Sequence, residues 1–258
     1  ELDTGHTISV YFGNNGTSQS SASMTYDMGD MGSIMLDQGA GGHGIGGIDD
    51  TTPTANEEIW DNISHGTSHD GYRTGAGNAG ALAYTTTFAG VGISLDYLKQ
   101  GGGTLEDGAT GAAGKGTAKS GAISYSPADG ITIGAGIGDV GTVVQGVTAS
   151  QETYYAKYAV GAVSLGIQQS QERTSTAYGW DTTQWGVSFN VNDNISIGYG
   201  ERVVDRTDKT VDQEDNGISA SWTMGSMTVS GNLNKSDDMH GTAGSDKETT
   251  EIAVSFAF

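Results

Sequence analysis

Side chains that commonly carry out catalysis are sparse in this chain. It has no cysteine, which excludes a thiolate nucleophile and a cysteine-bound metal. Serine hydrolysis needs a base beside the nucleophile, but no Gly-x-Ser-x-Gly turn is present. The only histidines are His6, His43, His65, His69 and His240, and all but His6 fall between predicted strands. These observations favour a protein that is not an enzyme, with an Asp/His protease arrangement at the outer rim as the alternative.

Two features have the residue types of a metal site. His65 and His69 are spaced so that both would lie on one face of a helix, where they could bind a metal. Acidic runs at 205–215 and 237–248 could attract Ca²⁺. Both patterns are also typical of solvated loops, so we predict no resident cofactor, with adventitious Ca²⁺ on the acidic loops as the alternative.

Carboxylates dominate the charge. The chain has 31 acidic and 11 basic residues and a net charge of -20, which opposes binding to nucleic acid and to anionic membrane surfaces. One connection between predicted strands, from about 38 to 79, is far longer than its neighbours. Its carboxylates include Asp49, Asp50, Glu57, Glu58 and Asp61.

The elements that position these groups are predicted to be strands. The final segment 251–258 places Ile252, Val254, Phe256 and Phe258 at every second position, with polar or small residues between them. A period of two indicates a β-strand with one apolar face. The same alternation recurs along the chain and predicts about fourteen strands of the length that a tilted membrane strand needs.

The alternate positions are mostly Ser, Thr, Gly, Asn and Gln rather than charged residues, which suits a wet, spacious interior. Connections between the strands alternate between short turns and long polar segments. Strict alternation is typical of up-and-down outer-membrane barrels, whose periplasmic turns are short and extracellular loops long. No apolar run reaches the roughly 18 to 20 residues of a membrane-spanning helix. We therefore predict an all-β chain, a transmembrane antiparallel up-and-down β-barrel formed as a single domain over 1–258.

With these features in place, the chain resembles the general porins of Gram-negative outer membranes, of the alphaproteobacterial type. Segment 1–12 is similar to a porin turn and strand, 31–37 to the strand before the third loop, and 79–94 to the hairpin after it. Phe258 resembles the family's terminal assembly signal. General porins have sixteen strands, so the resemblance implies that the first two are missing here. A complete fourteen-stranded barrel is the alternative.

The resemblance also implies a role for the long connection. In porins the third loop narrows the pore, and its acidic groups face basic groups on the barrel wall. Strand parity gives Lys157 and Arg202 as basic wall candidates. Together with Asp49, Asp50, Glu57, Glu58 and Asp61 they form the predicted pore constriction. Since acidic groups outnumber basic ones, cation preference is expected.

The expected function is passive diffusion of small hydrophilic solutes and ions through an outer-membrane channel. The expected partners are outer-membrane lipid and further copies of the chain in a homotrimer, with no nucleic acid. Aromatic residues near the strand ends, such as Tyr125 and Tyr154, are predicted to form two interfacial girdles. A soluble or surface-attached β-rich structural protein, such as an adhesin, is the alternative.

Overall fold

The computed structural model describes residues 5–14, 19–38, 42–60, 63, 81–98, 118–141, 148–174 and 179–257. Fourteen strands make up nearly all of the regular structure in these ranges, beside three short 3₁₀ turns. The strands are β1 (Thr7–Asn14), β2 (Gln19–Asp27), β3 (Ser33–Gln38), β4 (Ala81–Phe88), β5 (Val91–Leu98), β6 (Ala118–Ala128), β7 (Ile131–Gly141), β8 (Thr148–Val160), β9 (Val163–Thr174), β10 (Gly179–Asn192), β11 (Ile195–Arg206), β12 (Gln213–Met224), β13 (Met227–Asp237) and β14 (Lys247–Phe256). The all-β prediction is confirmed.

The strands form one antiparallel sheet in which every strand pairs with its neighbours in sequence, from β1 to β14. Within the described ranges no pairing joins β1 to β14, so the sheet is open between them. This is the up-and-down topology that the alternating connections predict. Of the helices in the described part of the chain, none has the length and apolar character needed to cross a membrane.

Cross-strand register divides the side chains between two faces. Val229 is opposite Val254, and Trp222 is opposite both Val229 and Ile195, so large apolar residues meet on one face. Ile252, Val254 and Phe256 on β14 are 76%, 55% and 56% exposed. The other face carries the polar partners, such as Asn232 and Ser219. We call the apolar face outer and the polar face inner.

Short turns lie at one end of the sheet. Ala89 and Gly90 join β4 to β5 with φ of 51° and 82°, the backbone of a two-residue hairpin turn that matches the twist of the strands. At the β10–β11 turn, Asn192 Oδ1 accepts hydrogen bonds from the backbone N–H groups of Asn194 and Ile195, at 2.8 and 3.0 Å. Local side-chain bonds of this kind fix a tight turn.

Exposed aromatic residues form two rings on the outer face. Phe88, Tyr125, Tyr158, Phe189 and Phe256 lie near the short turns, and Tyr97, Tyr154 and Trp185 lie nearer the long connections. In the ring nearer the long connections, the Tyr199 hydroxyl donates to Glu201 Oε1 at 2.6 Å, and Trp185 Nε1 donates to Glu201 Oε2 at 3.2 Å. The aromatic side chains of Tyr199 and Trp185 therefore face outwards, while their polar atoms bond to Glu201, which lies nearer the long connections.

Candidate functional site

The described part of the long connection, 42–60 and Ile63, lies against the inner face of the sheet. We call residues 42–60 the inner loop. It contacts β5, β6 and β7 through the 3₁₀ turn Gly44–Gly47. Further along, it bonds to inner side chains of β9, β10, β12 and β13. The inner loop therefore crosses the inner face from β5 to β13.

The first anchor of the inner loop is next to β3, β5 and β6. His43 Nε2 is 3.2 Å from Asp37 Oδ2. The backbone N–H of Gly44 donates to Ser94 Oγ at 2.8 Å, and that of Ile45 donates to Ser120 Oγ at 2.9 Å. His43 is only 9% exposed, and the carboxylate of Asp37 gives it a buried partner.

Gln168 on β9 provides the central anchor. Its Oε1 accepts from the backbone N–H and the hydroxyl of Thr51, both at 2.9 Å. Its Nε2 donates to the carbonyl oxygens of Ile48 and Asp49 at 2.8 and 3.0 Å. An amide side chain has both donors and acceptors, so this single residue satisfies several backbone groups of an otherwise irregular segment.

The last anchor involves β12 and β13. Ser219 Oγ accepts from the backbone N–H of Ala55 at 3.0 Å. Asn232 Nδ2 donates to the carbonyl oxygen of Glu57 at 2.9 Å, and Asn234 Nδ2 donates to that of Glu58 at 3.3 Å. Thus the hydroxyls and amides of the inner face bind the loop backbone here, where the sequence suggested that they line open, wet space.

Glycines on the inner face make room for this path. A Cβ at Gly186 on β10 would come within 2.6 Å of the Pro53 carbonyl oxygen, and one at Gly198 on β11 within 2.9 Å of the Ala55 nitrogen. A real Cβ atom essentially never comes this close to another heavy atom. Only glycine at these positions therefore allows the loop to lie flat against the strands. These glycines, which the sequence pattern attributed to a spacious interior, are therefore part of the surface on which the inner loop packs.

The acidic candidates of the constriction occupy different environments. Asp49, Asp50 and Glu58 are half-buried, while Glu57 is exposed. Asp50 Oδ1 accepts from the Thr52 backbone N–H at 3.2 Å and from Gln184 Nε2 at 3.4 Å. Asp61 lies outside the described residues, as do His65 and His69.

Asp50 has an unusual protonation behaviour. Burial, and after it the nearby charge of Glu58, raise the pKa of its carboxyl from 3.8 to about 7, a value that already includes the opposing hydrogen bonds from Thr52. Two neighbouring carboxyls cannot both ionise freely.

The two basic candidates also differ from each other. Arg202 is on the inner face, but its side chain is fully buried and its guanidinium bonds Asp215 Oδ2 through Nε and a terminal nitrogen, both at 2.7 Å. The indole ring of Trp60 covers it, with 4.7 Å between the guanidinium carbon and the ring centroid. Lys157 is half-buried, with its ammonium 5.6 Å from the Tyr155 ring centroid. The carboxylate of Asp215 therefore balances the charge of Arg202.

Strand register places further charged groups on the inner face that sequence analysis did not single out. Besides Lys157 and Arg202, the inner basic positions of the described strands are Arg206 and Lys247. The inner acidic positions are Asp27, Asp37, Asp96, Glu172, Asp215 and Glu251. The continuous period-two alternation was the signal that could have found them. Together with the four described carboxyls of the inner loop, the acidic groups outnumber the basic ones.

Among the described residues, no group of three His, Asp or Glu side chains is placed to hold a metal ion.

An antiparallel up-and-down sheet with an apolar outer face, a polar inner face and a long connection folded inwards is the architecture of a transmembrane β-barrel. More particularly, the chain has the fold of the bacterial porins. The anion-selective porin from Comamonas acidovorans has a TM-score of 0.69 at 17% identity, covering 95% of this chain and 80% of that one. A multiple mutant of the Rh. blastica porin also has a TM-score of 0.69, at 15% identity, covering 100% of this chain and 86% of that one.

A more distant likeness is to OmpT, an outer membrane protein of Vibrio cholerae, with a TM-score of 0.59 at 12% identity and coverage of 96% and 80%. No family model matches the chain, and no curated protein is significantly similar to it. The similarity is thus one of fold, carried by hydrogen-bonded topology rather than by shared sequence.

Proposed function

We propose that the protein is a porin of a Gram-negative outer membrane, a water-filled channel for passive diffusion of small hydrophilic solutes and ions. The observation that carries the proposal is the pairing of an exposed apolar outer face with a polar inner face on which the inner loop is anchored. Lipid is the environment that suits such an outer face. The channel works without a chemical step and without a cofactor.

Cation preference is the second part of the proposal. It is supported by the excess of carboxyls over basic groups on the inner face and the inner loop. Charged groups that line a narrow aqueous pore favour counter-ions. A similar structure is that of an anion-selective porin, so the fold alone does not determine the sign, and the residues of each chain must do so.

Homotrimeric assembly is the third part of the proposal. Closed cyclic symmetry is the common form of oligomers, and small residues such as Ala220 and Gly231 on the outer face leave space for a neighbouring copy. Light scattering in mild detergent tests the trimer, and a monomer would contradict it.

The fourth part of the proposal is that the complete barrel has sixteen strands. Direct pairing of β1 with β14 in an experimental structure would contradict the sixteen-strand barrel.

The function itself is tested by conductance. We expect stepwise current increases when the purified protein is added to a planar lipid bilayer, with a reversal potential in a salt gradient that has the sign of cation preference. Solubility without detergent, together with the absence of current steps, would contradict the proposal and favour a soluble structural protein.

A further inference from the structure

We propose that Gln213 is a positioning residue of the channel: through Asp215 and Arg202 it links the end of the inner loop to the connection between β13 and β14. That connection, residues 238–246, lies at the end of the sheet that carries the long connections. The inference rests on the proposed function, since it concerns how the same inner loop is held in place.

The end of the inner loop and the β13–β14 connection meet the same part of the wall. Residues at every second position of paired strands point to one face, so successive rows on that face are about 7 Å apart. β11 and β12 present three such rows to the inner side: Gly200 with Gly217, Arg202 with Asp215, and Val204 with Gln213. The inner loop packs on the first two rows and the connection bonds to the third.

The contact of the loop end with the first two rows is close. A Cβ at Gly217 would be 3.1 Å from Ile59 Cγ2, and one at Gly200 would be 3.3 Å from the same atom. Trp60 covers the guanidinium of Arg202, with 4.7 Å between the guanidinium carbon and the ring centroid. Ile59 and Trp60 are both buried. The position of the loop end therefore depends on where the side chain of Arg202 is held.

Gln213 joins the buried ion pair to the β13–β14 connection. Its Nε2 donates to both carboxylate oxygens of Asp215, at 3.0 and 3.1 Å, and Asp215 accepts from Arg202 at 2.7 Å. Its Oε1 accepts from the backbone N–H of His240 at 3.0 Å. Gln213, Asp215 and Arg202 are at most 3% exposed. Water has little access to these bonds, and a buried polar network of this kind holds its members in one arrangement.

The connection presents the His240 N–H from a strained backbone. Asp238 and His240 have φ of 52° and 60°, and residues with a Cβ keep such angles only where the surrounding structure enforces them. The turn is closed by its own bonds, because the N–H groups of Gly244 and Thr242 donate to Asp238 Oδ1 and to the Asp238 carbonyl oxygen, at 2.6 and 3.3 Å. We therefore expect the turn to move as a unit and to carry His240 with it.

Two glycines of the connection provide the test and its matched control. A Cβ at Gly241 would be 2.6 Å from Lys209 Cβ and 2.9 Å from the Val211 carbonyl oxygen, so Gly241→Ala must displace the turn. A Cβ at Gly244 would have no heavy atom within 4 Å. Both glycines are in the left-handed region, with φ of 65° and 73°. Gly244→Ala therefore adds similar backbone strain without the clash.

The measurement is the single-channel current of the reconstituted protein. We expect Gln213→Ala and Gly241→Ala each to raise the time spent away from the main current level roughly two- to thirtyfold, the range for residues that couple two sites. The reason is that Trp60 is held less firmly. The double variant should resemble either single variant, because both changes break the same link. Gly244→Ala should keep the wild-type current, and so should Val204→Ala, which trims the row of Gln213 without removing a hydrogen bond.

Gln213→Glu is a second variant in case Gln213→Ala does not fold. It keeps the size of the side chain and an acceptor for the His240 N–H, but it removes the donor to Asp215, so the current fluctuations should rise here too. Fluctuations in Gly241→Ala that add in full to those of a Gln213 variant would overturn the proposal. Equal fluctuations in Gly244→Ala and Gly241→Ala would also overturn it.

A readout without current keeps the inference separate from channel function. The chain has four tryptophans, so labelling with fluorotryptophan gives four ¹⁹F resonances in detergent, and Trp60→Phe identifies that of Trp60. Gly241→Ala should shift or broaden this resonance when Gln213 is present, but not in the Gln213→Ala background. If the protein conducts but the resonance does not respond to Gly241→Ala, the role of Gln213 is wrong and the channel stands. If the resonance responds but no current is found, the link stands and the porin proposal fails.

Discussion

At the scale of single residues, opposite charges on the inner face have unequal roles. The Arg202–Asp215 pair is fully buried and covered by Trp60, whereas Lys157 is half-buried on β8. A buried ion pair contributes little field to the lumen but is costly to break. Lys157, in contrast, keeps a partly solvated charge beside the inner loop.

Arg202→Ala should therefore act mainly on stability. Removing one partner leaves the Asp215 carboxylate buried without its counter-charge, which typically costs about 3–5 kcal/mol. The expected result is a lower thermal unfolding midpoint in detergent, with a smaller change in reversal potential than in Lys157→Gln. The control Lys157→Gln should unfold close to the wild-type temperature and increase cation preference. Equal unfolding temperatures of the two variants would show that the buried pair is not formed.

At the scale of elements, the inner loop and the strands below it fit each other through glycine. Gly186 is on β10 where Pro53 crosses it, and the strand has no side chain at that point. The fit depends on the absence of a Cβ at Gly186, which lets the backbone of the loop lie against the strand.

Gly186→Val should displace the inner loop towards the lumen. A Cβ would be 2.6 Å from the Pro53 carbonyl oxygen, so the loop must move away from the wall, and the single-channel conductance should fall. Ser188→Val, at the next inner position of β10, is the matched control and should leave conductance near that of the wild type. An unchanged conductance in Gly186→Val, with the wild-type unfolding temperature, would place the loop elsewhere.

The β4–β5 turn offers a test of strand pairing that does not involve the inner loop. Ala89 has a φ of 51°, a region in which a residue with a Cβ is strained by roughly 1–2 kcal/mol. Ala89→Gly should relieve part of this strain and stabilise the protein by up to about 1 kcal/mol after the entropic cost of glycine. Urea unfolding measures it. Gly90→Ala, at a φ of 82°, should have the opposite effect, and a stabilised Gly90→Ala would contradict the turn geometry.

These elements show how far the sequence alone leads. The period of two in 251–258 already assigned Ile252, Val254 and Phe256 to the lipid-facing side, because strand geometry makes alternation a local property. The surface on which the inner loop packs has no local pattern in the sequence that could predict it. Thr51 meets Gln168 across 117 positions and Asn56 meets Asn232 across 176, and such contacts exist only after the sheet has formed. The two faces of the sheet can therefore be predicted from the sequence, whereas the inner groups that bind the loop depend on contacts between distant parts of the chain.

At the scale of the whole molecule, the sum of many weakly placed charges matters more than any single one. With 31 acidic and 11 basic residues, we expect the field inside the proposed channel to be negative. Screening limits this field, since the Debye length is about 8 Å at 0.15 M salt and about 3 Å at 1 M.

Replacing Asp49, Asp50, Glu57, Glu58 and Asp61 by Asn or Gln should move the reversal potential towards zero at low salt. The difference from the wild type should shrink as the salt concentration approaches 1 M, because screening then weakens the field of the carboxylates. Measurements of reversal potential at fixed concentration ratio and rising ionic strength test this. A reversal potential that stays at the wild-type value in the fivefold variant would mean that these groups do not face the permeating ions.

The anchors of the inner loop have a consequence for how such channels diversify. Gln168, Ser219, Asn232 and Asn234 bond to backbone N–H and carbonyl groups of the loop. Backbone groups are the same whatever side chain they carry, so the path of the loop is largely independent of residue identity at its exposed positions. Charge reversal at a position such as Glu57 therefore leaves these bonds in place. One scaffold can then acquire new ion preferences through substitutions in one short segment, without first evolving a new way to hold it.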